Sequence, residues 1–200
     1  SLATVVCLAI VSGMYLFVGL GNPGEKFQGT RHNIGRDVLV AAAKRFGLPA
    51  LSLNPKFNAL KTEGRLGKEK VAFLLPETFV NKSGHAVGPA LRALKVKTKA
   101  LVLVHDDVDI LLGSTKLAFA RNSGGHKGVE SVMRAIKTKN FWRMRVGVQR
   151  HRRVAGEDLV LQKFRADEVA VARKVLKKSI DAVETIVTKD PAVAMNAYNQ

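Results

Sequence analysis

The sequence predicts an α/β fold: one domain built on a twisted, mixed but mostly parallel sheet, with helices on both faces. Two observations carry this. Four short runs rich in apolar and β-branched residues read as buried strands, and amphipathic helical patterns separate them. The length of 200 residues suits one core-bearing domain, with no repeat or long linker to divide it.

The elements follow in order. Residues 15–19 (Tyr-Leu-Phe-Val-Gly) form the first strand. Residues 37–46 carry Val38, Leu39, Ala42 and Phe46 on one helical face. Residues 71–75 read as the second buried strand. Val87, Leu91 and Leu94 mark a helix over 83–94. Residues 100–104 and 144–148 supply two more strands. Between them, Val129, Val132, Met133 and Ile136 keep the i, i+3, i+4, i+7 spacing of a helix over 128–136. Val169, Ala172, Leu176, Ile180, Val183 and Val187 do so over 167–187. Residues 54–66 and 116–120 are candidates for added antiparallel strands. In sheets of this kind ligands collect at the carboxyl ends of the strands, where most of the distinctive residues below fall.

Ahead of the first strand lies an apolar run over residues 2–11. It is too short to span a membrane as a helix, and no basic residue precedes it as in a secretion signal. Residues 1–13 therefore read as an extension to a domain over 14–200. The single cysteine, Cys7, excludes a disulfide framework and a thiolate zinc site, and fits a reducing compartment.

Charge limits the partners. Thirty-three Lys and Arg face sixteen Asp and Glu, leaving +17. Over residues 116–153 eleven cations accompany one acid, Glu130. That clustering predicts a face tracking phosphates. At 6% aromatic content, extensive base stacking is disfavoured.

Gly19, Gly21 and Gly24 satisfy G-x-G-x-x-G. No helix opens at these glycines, because Pro23, Gly24 and Gly29 interrupt the segment, and Asp37 does not end a second strand. A dinucleotide site is therefore disfavoured. The turn brings a backbone and the Asn22 amide to a strand end instead. In Thr30-Arg31-His32-Asn33, His32 is a general-base candidate, with a surface or capping histidine as the plain alternative.

His105-Asp106-Asp107-Val108-Asp109 follows the strand over 100–104. Its carboxylates could hold a metal, orient a histidine or cap a turn. No second acidic cluster supports the metal, and Asp106, the first acid past the strand, is the choice to orient His32. Asn81 offers an amide to a carbonyl or oxyanion, or else caps the helix over 83–94. Ser123-Gly124-Gly125-His126-Lys127-Gly128 opens a helix, as an anion site or as a plain junction. No G-x-S-x-G elbow or Cys–His pair supports covalent catalysis, which leaves direct attack by water.

Taken together and in order, Val18–Gly24, Thr30–Asn33, Phe79-Val80-Asn81-Lys82-Ser83-Gly84, His105–Asp109, Gly124–Gly128, Arg143-Met144-Arg145-Val146-Gly147 and Ala194-Met195-Asn196 resemble the bacterial-type peptidyl-tRNA hydrolases. The resemblance runs from Met14 almost to the last residue. It implies cleavage of the ester between a peptide and the terminal adenosine of tRNA, freeing tRNA for translation. It implies His32 as the base, Asp106 as its orienter, and Asn22 and Asn81 on the peptide and ester carbonyl. Phe79, His126 and Lys127 join the substrate-binding set, and Lys116, Arg145 and Arg143 the tRNA-binding set. No metal or organic cofactor is implied. A monomer is implied, acting on tRNA away from any membrane, in the cytoplasm or an organellar matrix. One position departs from the pattern: Lys127 stands where the family carries asparagine. A protonated lysine only donates, whereas an amide also accepts, so a working hydrolase with altered kinetics is expected. The rival class is a non-catalytic RNA-binding protein on the same fold, such as a splicing or ribosome-associated factor.

Overall fold

A computed structural model describes residues 13–150 and 154–199. The expected extension falls almost wholly in residues 1–12, and Arg152 and Arg153 of the basic stretch also lie outside the described residues.

Seven strands form one sheet: β1 (Met14–Gly19), β2 (Ser52–Asn54), β3 (Ala59–Leu66), β4 (Glu69–Pro76), β5 (Leu101–Leu111), β6 (Thr115–Phe119) and β7 (Trp142–Gln149). Their order is β2-β3-β4-β1-β5-β7-β6. The centre, β4-β1-β5-β7, is parallel, and its strands are near-continuous apolar runs because helices cover both faces. The outer β2, β3 and β6 pair antiparallel. The mixed sheet is the one expected.

Helix α1 (Ile34–Arg45) packs on β1 and β5, beside α5 (Val169–Thr188), and α6 (Pro191–Tyr198) packs on α5 and β6. Helices α2 (Gly84–Ala93) and α3 (Lys127–Ile136) pack against each other elsewhere on the sheet, and α4 (Gly156–Val160) touches β5. The core runs through both layers, from Phe17 and Phe73 to Val183 and Ile186. Gly35 lets α1 lie directly on β5, since a Cβ there would sit 2.2 Å from the Val104 carbonyl oxygen.

Four elements differ from expectation. Strand β5 does not stop at Val104 but continues to Leu111, so His105–Asp109 lies within a strand. Pairing with β7 explains this: His105, Asp106 and Asp107 lie opposite Arg145, Val146 and Gly147. Helix α1 begins three residues earlier than its apolar pattern, directly after a 3-10 turn at Arg31–Asn33. The five-residue α4 is too short to show a period. Helix α6 was not expected either; Asp190 caps it through a side-chain bond from Ala192 N, and Pro191 stands in its first turn.

The open edge of β6 is occupied by a side chain. Asn199 Oδ1 accepts from Leu117 N at 2.6 Å, and its Nδ2 donates to Leu117 O at 2.9 Å.

Candidate active site

A cavity of about 760 Å³ opens beside the carboxyl ends of β1, β4 and β5. It is lined by Asn22, His32, Phe79, Asn81, Asp106, His126 and Lys127, so the expected catalytic and substrate-binding residues share one cavity. Gly156, Val160 and Leu161 also line it.

Asn22 is placed from several directions. Its backbone N–H donates to Asn33 Oδ1 at 2.8 Å, and its carbonyl accepts from Asn33 Nδ2 at 3.0 Å. Its own Oδ1 accepts from Val80 N at 2.9 Å. The oxygen is thus committed, and Nδ2 remains as the donor offered to the cavity.

His32 sits on the 3-10 turn before α1, with its side chain 12% exposed. Nδ1 lies 2.8 Å from Asp106 Oδ1. With Nδ1–H donated to the carboxylate, Nε2 carries the lone pair. Burial alone would lower the His32 pKa, and Lys127 opposes protonation further. The hydrogen bond to Asp106 and its negative charge outweigh both, and the pKa stands above the ordinary histidine value. The plain reading of a surface histidine does not fit this partner.

Asp106 is almost fully buried. Burial pushes its pKa up, but the two imidazoles that close on the carboxylate, His126 and His32, hold it well below the ordinary carboxylate range. His126 Nε2 approaches the same Oδ1 at 3.1 Å. On its other side, His126 Nδ1 accepts from Gly128 N at 3.1 Å and Val129 N at 3.3 Å, capping α3. Its tautomer is thereby fixed with the proton on Nε2. The N–H groups expected to form an open anion site are therefore already in use. The turn that delivers His126 needs glycine: Gly124 and Gly125 have φ of +66° and +81°.

The ring of His105 packs 4.6 Å from that of His126, and its Nδ1 donates to the Asp106 carbonyl at 2.7 Å. Complete burial, with His126 and Arg143 nearby, depresses its pKa well below the ordinary value, which keeps it neutral.

Ligand atoms of His32, Asp106 and His126 lie within 4.8 Å of one another, close enough to suggest a metal. The tautomer of His126 does not suit one. Metal at Nε2 would move the proton to Nδ1, against two backbone N–H donors.

Asn81 is exposed at the cavity rim, and the residue in the cap position of α2 is Ser83, so the amide does not cap that helix. Phe79 is 56% exposed and meets Phe27 edge-on with centroids 6.3 Å apart. Together with Leu161, also exposed, it gives the mouth an apolar border.

The basic residues separate into two kinds. Lys116 on β6 lies directly opposite Arg145 on β7, so both side chains rise from one face. Arg145 Nε is held by Asp107 Oδ2 at 2.7 Å. Arg143, grouped with them by its sequence, is 4% exposed and donates to the Ser123 carbonyl at 3.1 Å. It supports the glycine turn from beneath and has little surface to offer a phosphate.

The profile of the family described as Peptidyl-tRNA hydrolase matches residues 16–200. The chain belongs to the peptidyl-tRNA hydrolase family. It is 38% identical to the peptidyl-tRNA hydrolase of Alkaliphilus metalliredigens (strain QYMF), over 93% of this chain and all of that one. Identity to the Shouchella clausii (strain KSM-K16) protein is also 38%, with the same coverage. The crystal structure of peptidyl-tRNA hydrolase from Acinetobacter baumannii superposes with a TM-score of 0.87 at 30% identity, covering 96% of this chain and 97% of that one.

Within this member of the family, sequence reading passed over three residues that hold the site in place. Asn33 secures Asn22, as described. Arg31, fully buried, donates to the Val148 carbonyl at 3.1 Å, pairs with Glu168 and stacks on Phe164. Glu168 also accepts from Arg165 N and pairs with Arg150. Arg31 N donates to the Gln162 carbonyl, tying the His32 turn to the chain just after Leu161. The only sequence signal was that Arg31 and Asn33 flank the histidine on a short loop.

Proposed function

We propose that this protein hydrolyses the ester bond of peptidyl-tRNA, releasing peptide and free tRNA by direct attack of water. The observation that carries the reading is the bond between His32 Nδ1 and buried Asp106, inside a cavity shared with the Asn22 amide. His32 Nε2 takes a proton from water as the water oxygen attacks the ester carbonyl carbon. The negative charge that develops on the carbonyl oxygen meets Asn22 Nδ2 and the Lys127 ammonium. The tetrahedral adduct then collapses, the carbon–oxygen bond to the terminal ribose breaks, and the departing oxygen takes the proton back from His32. Asp106 holds the imidazole in the required tautomer and stabilises its charged form.

Asn81, Phe79 and His126 border the peptide end of the substrate. Lys116 and Arg145, paired across β6 and β7, hold a tRNA phosphate next to the site. Lys127 donates where an amide would also accept, so it serves the oxyanion rather than the incoming water. The protein acts as a monomer in the compartment where translation runs. Among the described residues no helix is long and apolar enough to cross a membrane. RNA binding without turnover has no observation in its favour, because the base, its orienting acid and the amide donor are assembled together.

The test is ester release from an N-acetyl-aminoacyl-tRNA. Turnover is expected with the unaltered protein and lost in His32→Ala. Tight tRNA binding without release would overturn the reading.

A further inference from the structure

The first half of α5 carries a charge pattern for which no ion pair is found among the described residues. Arg173, Lys174, Lys177 and Lys178 fall within six residues, and the pairs 173/177 and 174/178 are four apart, so they form one stripe. The first three are exposed and Lys178 is half-buried. The acids in and next to the helix are engaged elsewhere. Asp181 and Glu184 pair with Arg45, Glu168 with Arg31 and Arg150, and Asp167 with Arg165. Like charges four apart weaken a helix, and the first turn holds no acid to offset them. An arrangement that works against its own element points to use by a partner.

Its position narrows the partner. Val171 lies beside Gly113, and Ser179 Oγ sits 2.9 Å from Thr115 Oγ1, so this half of α5 crosses the start of β6. Lys116, the next residue, rises from the other face of that strand towards Arg145. The two groups of cations thus flank the edge strand. The stripe holds no aromatic side chain for a base, and Val171 is the one exposed large apolar residue of α5. It therefore suits a phosphate backbone better than a lipid surface.

We propose that Arg173, Lys174, Lys177 and Lys178 form a second phosphate-tracking surface that holds the duplex arm of the substrate tRNA beyond Lys116 and Arg145. This rests on the hydrolase reading above. The test is the combined variant Arg173→Gln, Lys174→Gln, Lys177→Gln, Lys178→Gln. It is assayed on N-acetyl-aminoacyl-tRNA and on the same ester carried by a short single-stranded 3′-terminal oligonucleotide. On the full tRNA, KM should rise about tenfold with kcat unchanged, and log kcat/KM against log salt should become shallower by about 2. The short ester should be cleaved as before. Unchanged KM and salt slope on the full tRNA would overturn the stripe alone, and so would equal losses on both substrates or binding to anionic vesicles with tRNA kinetics intact. Failure of the unaltered protein to cleave either ester would overturn the hydrolase reading and the stripe with it.

Discussion

Asn33 grips Asn22 by both backbone groups, accepting from its N–H at 2.8 Å and donating to its carbonyl at 3.0 Å. Asn22 thus keeps its side-chain amide free of its own backbone and turned between Val80 N and the cavity. Asn33→Ala would leave two buried polar groups unpaired, at a cost of about 1–3 kcal/mol each. The expected result is a kcat lower by about 10- to 100-fold on an N-acetyl-aminoacyl-tRNA, with KM changed far less. Asn33→Asp keeps the acceptor and loses the donor, and should fall between. A kcat like that of the unaltered protein would separate Asn33 from the placing of Asn22.

The pH profile reports on His32. Its neutral form accepts the proton, so kcat/KM should rise with pH through a midpoint above the ordinary histidine value. Asp106→Asn removes the negative charge and weakens the hydrogen bond that together raise the pKa, and leaves burial and Lys127, which lower it. The midpoint should then move to lower pH, while kcat falls about 10²- to 10⁴-fold because the tautomer is no longer held. Lys127→Asn removes an opposing charge, so its midpoint should move to higher pH. A shared midpoint in all three proteins would dismiss His32 as the titrating base.

Glu168 and Arg31 can be tested by denaturation. Glu168→Ala leaves a fully buried guanidinium short of its partner, and a loss of about 3–5 kcal/mol is expected. Glu168→Gln retains an acceptor and should recover part of it. Burial raises the Glu168 pKa, but the Arg165 N–H and the Arg31 hydrogen bond outweigh it and lower the pKa overall. Its contribution is therefore present above the ordinary glutamate range and lost as pH falls through the depressed value. Equal urea midpoints for the variant and the unaltered protein would contradict this.

Asp37 should show the opposite sign. Burial raises its pKa to about 6, with Arg36 only partly opposing. The folded state holds this proton more tightly than the unfolded chain, so stability declines as pH rises from near 4 through about 6. Asp37→Asn should accordingly raise Tm at pH 7.5 by a few degrees and leave it nearly unchanged at pH 4. A lower Tm at pH 7.5 would mean that the charged carboxylate has a stabilising role.

Sequence periodicity read the buried strands and long helices well, because each shows its own burial pattern locally. It failed where the deciding partner is distant. Nothing in His105–Asp109 announces a strand until β7 lies beside it. Arg143 and Arg145 are two residues apart and equally basic, yet the first reaches under the Ser123 carbonyl and the second pairs with Asp107 near the surface. His126 resembled part of an anion-binding turn, and only its distances to Gly128 N, Val129 N and Asp106 reveal a cap that also steadies a carboxylate. Arg31 was hidden for the same reason, since its partner Glu168 stands 137 positions along the chain.

The Asn199 amide on β6 has a consequence for assembly. Its C=O and NH₂ stand where a peptide group of an eighth strand would bind Leu117, so one rung of the sheet's growing edge is already occupied from within. Lys116, beside it, keeps a charge on the same border. A second molecule seeking to extend the sheet there would have to displace α6 and bury a cation. The strand that carries Lys116 is thus poorly suited to pairing edge to edge with a second copy.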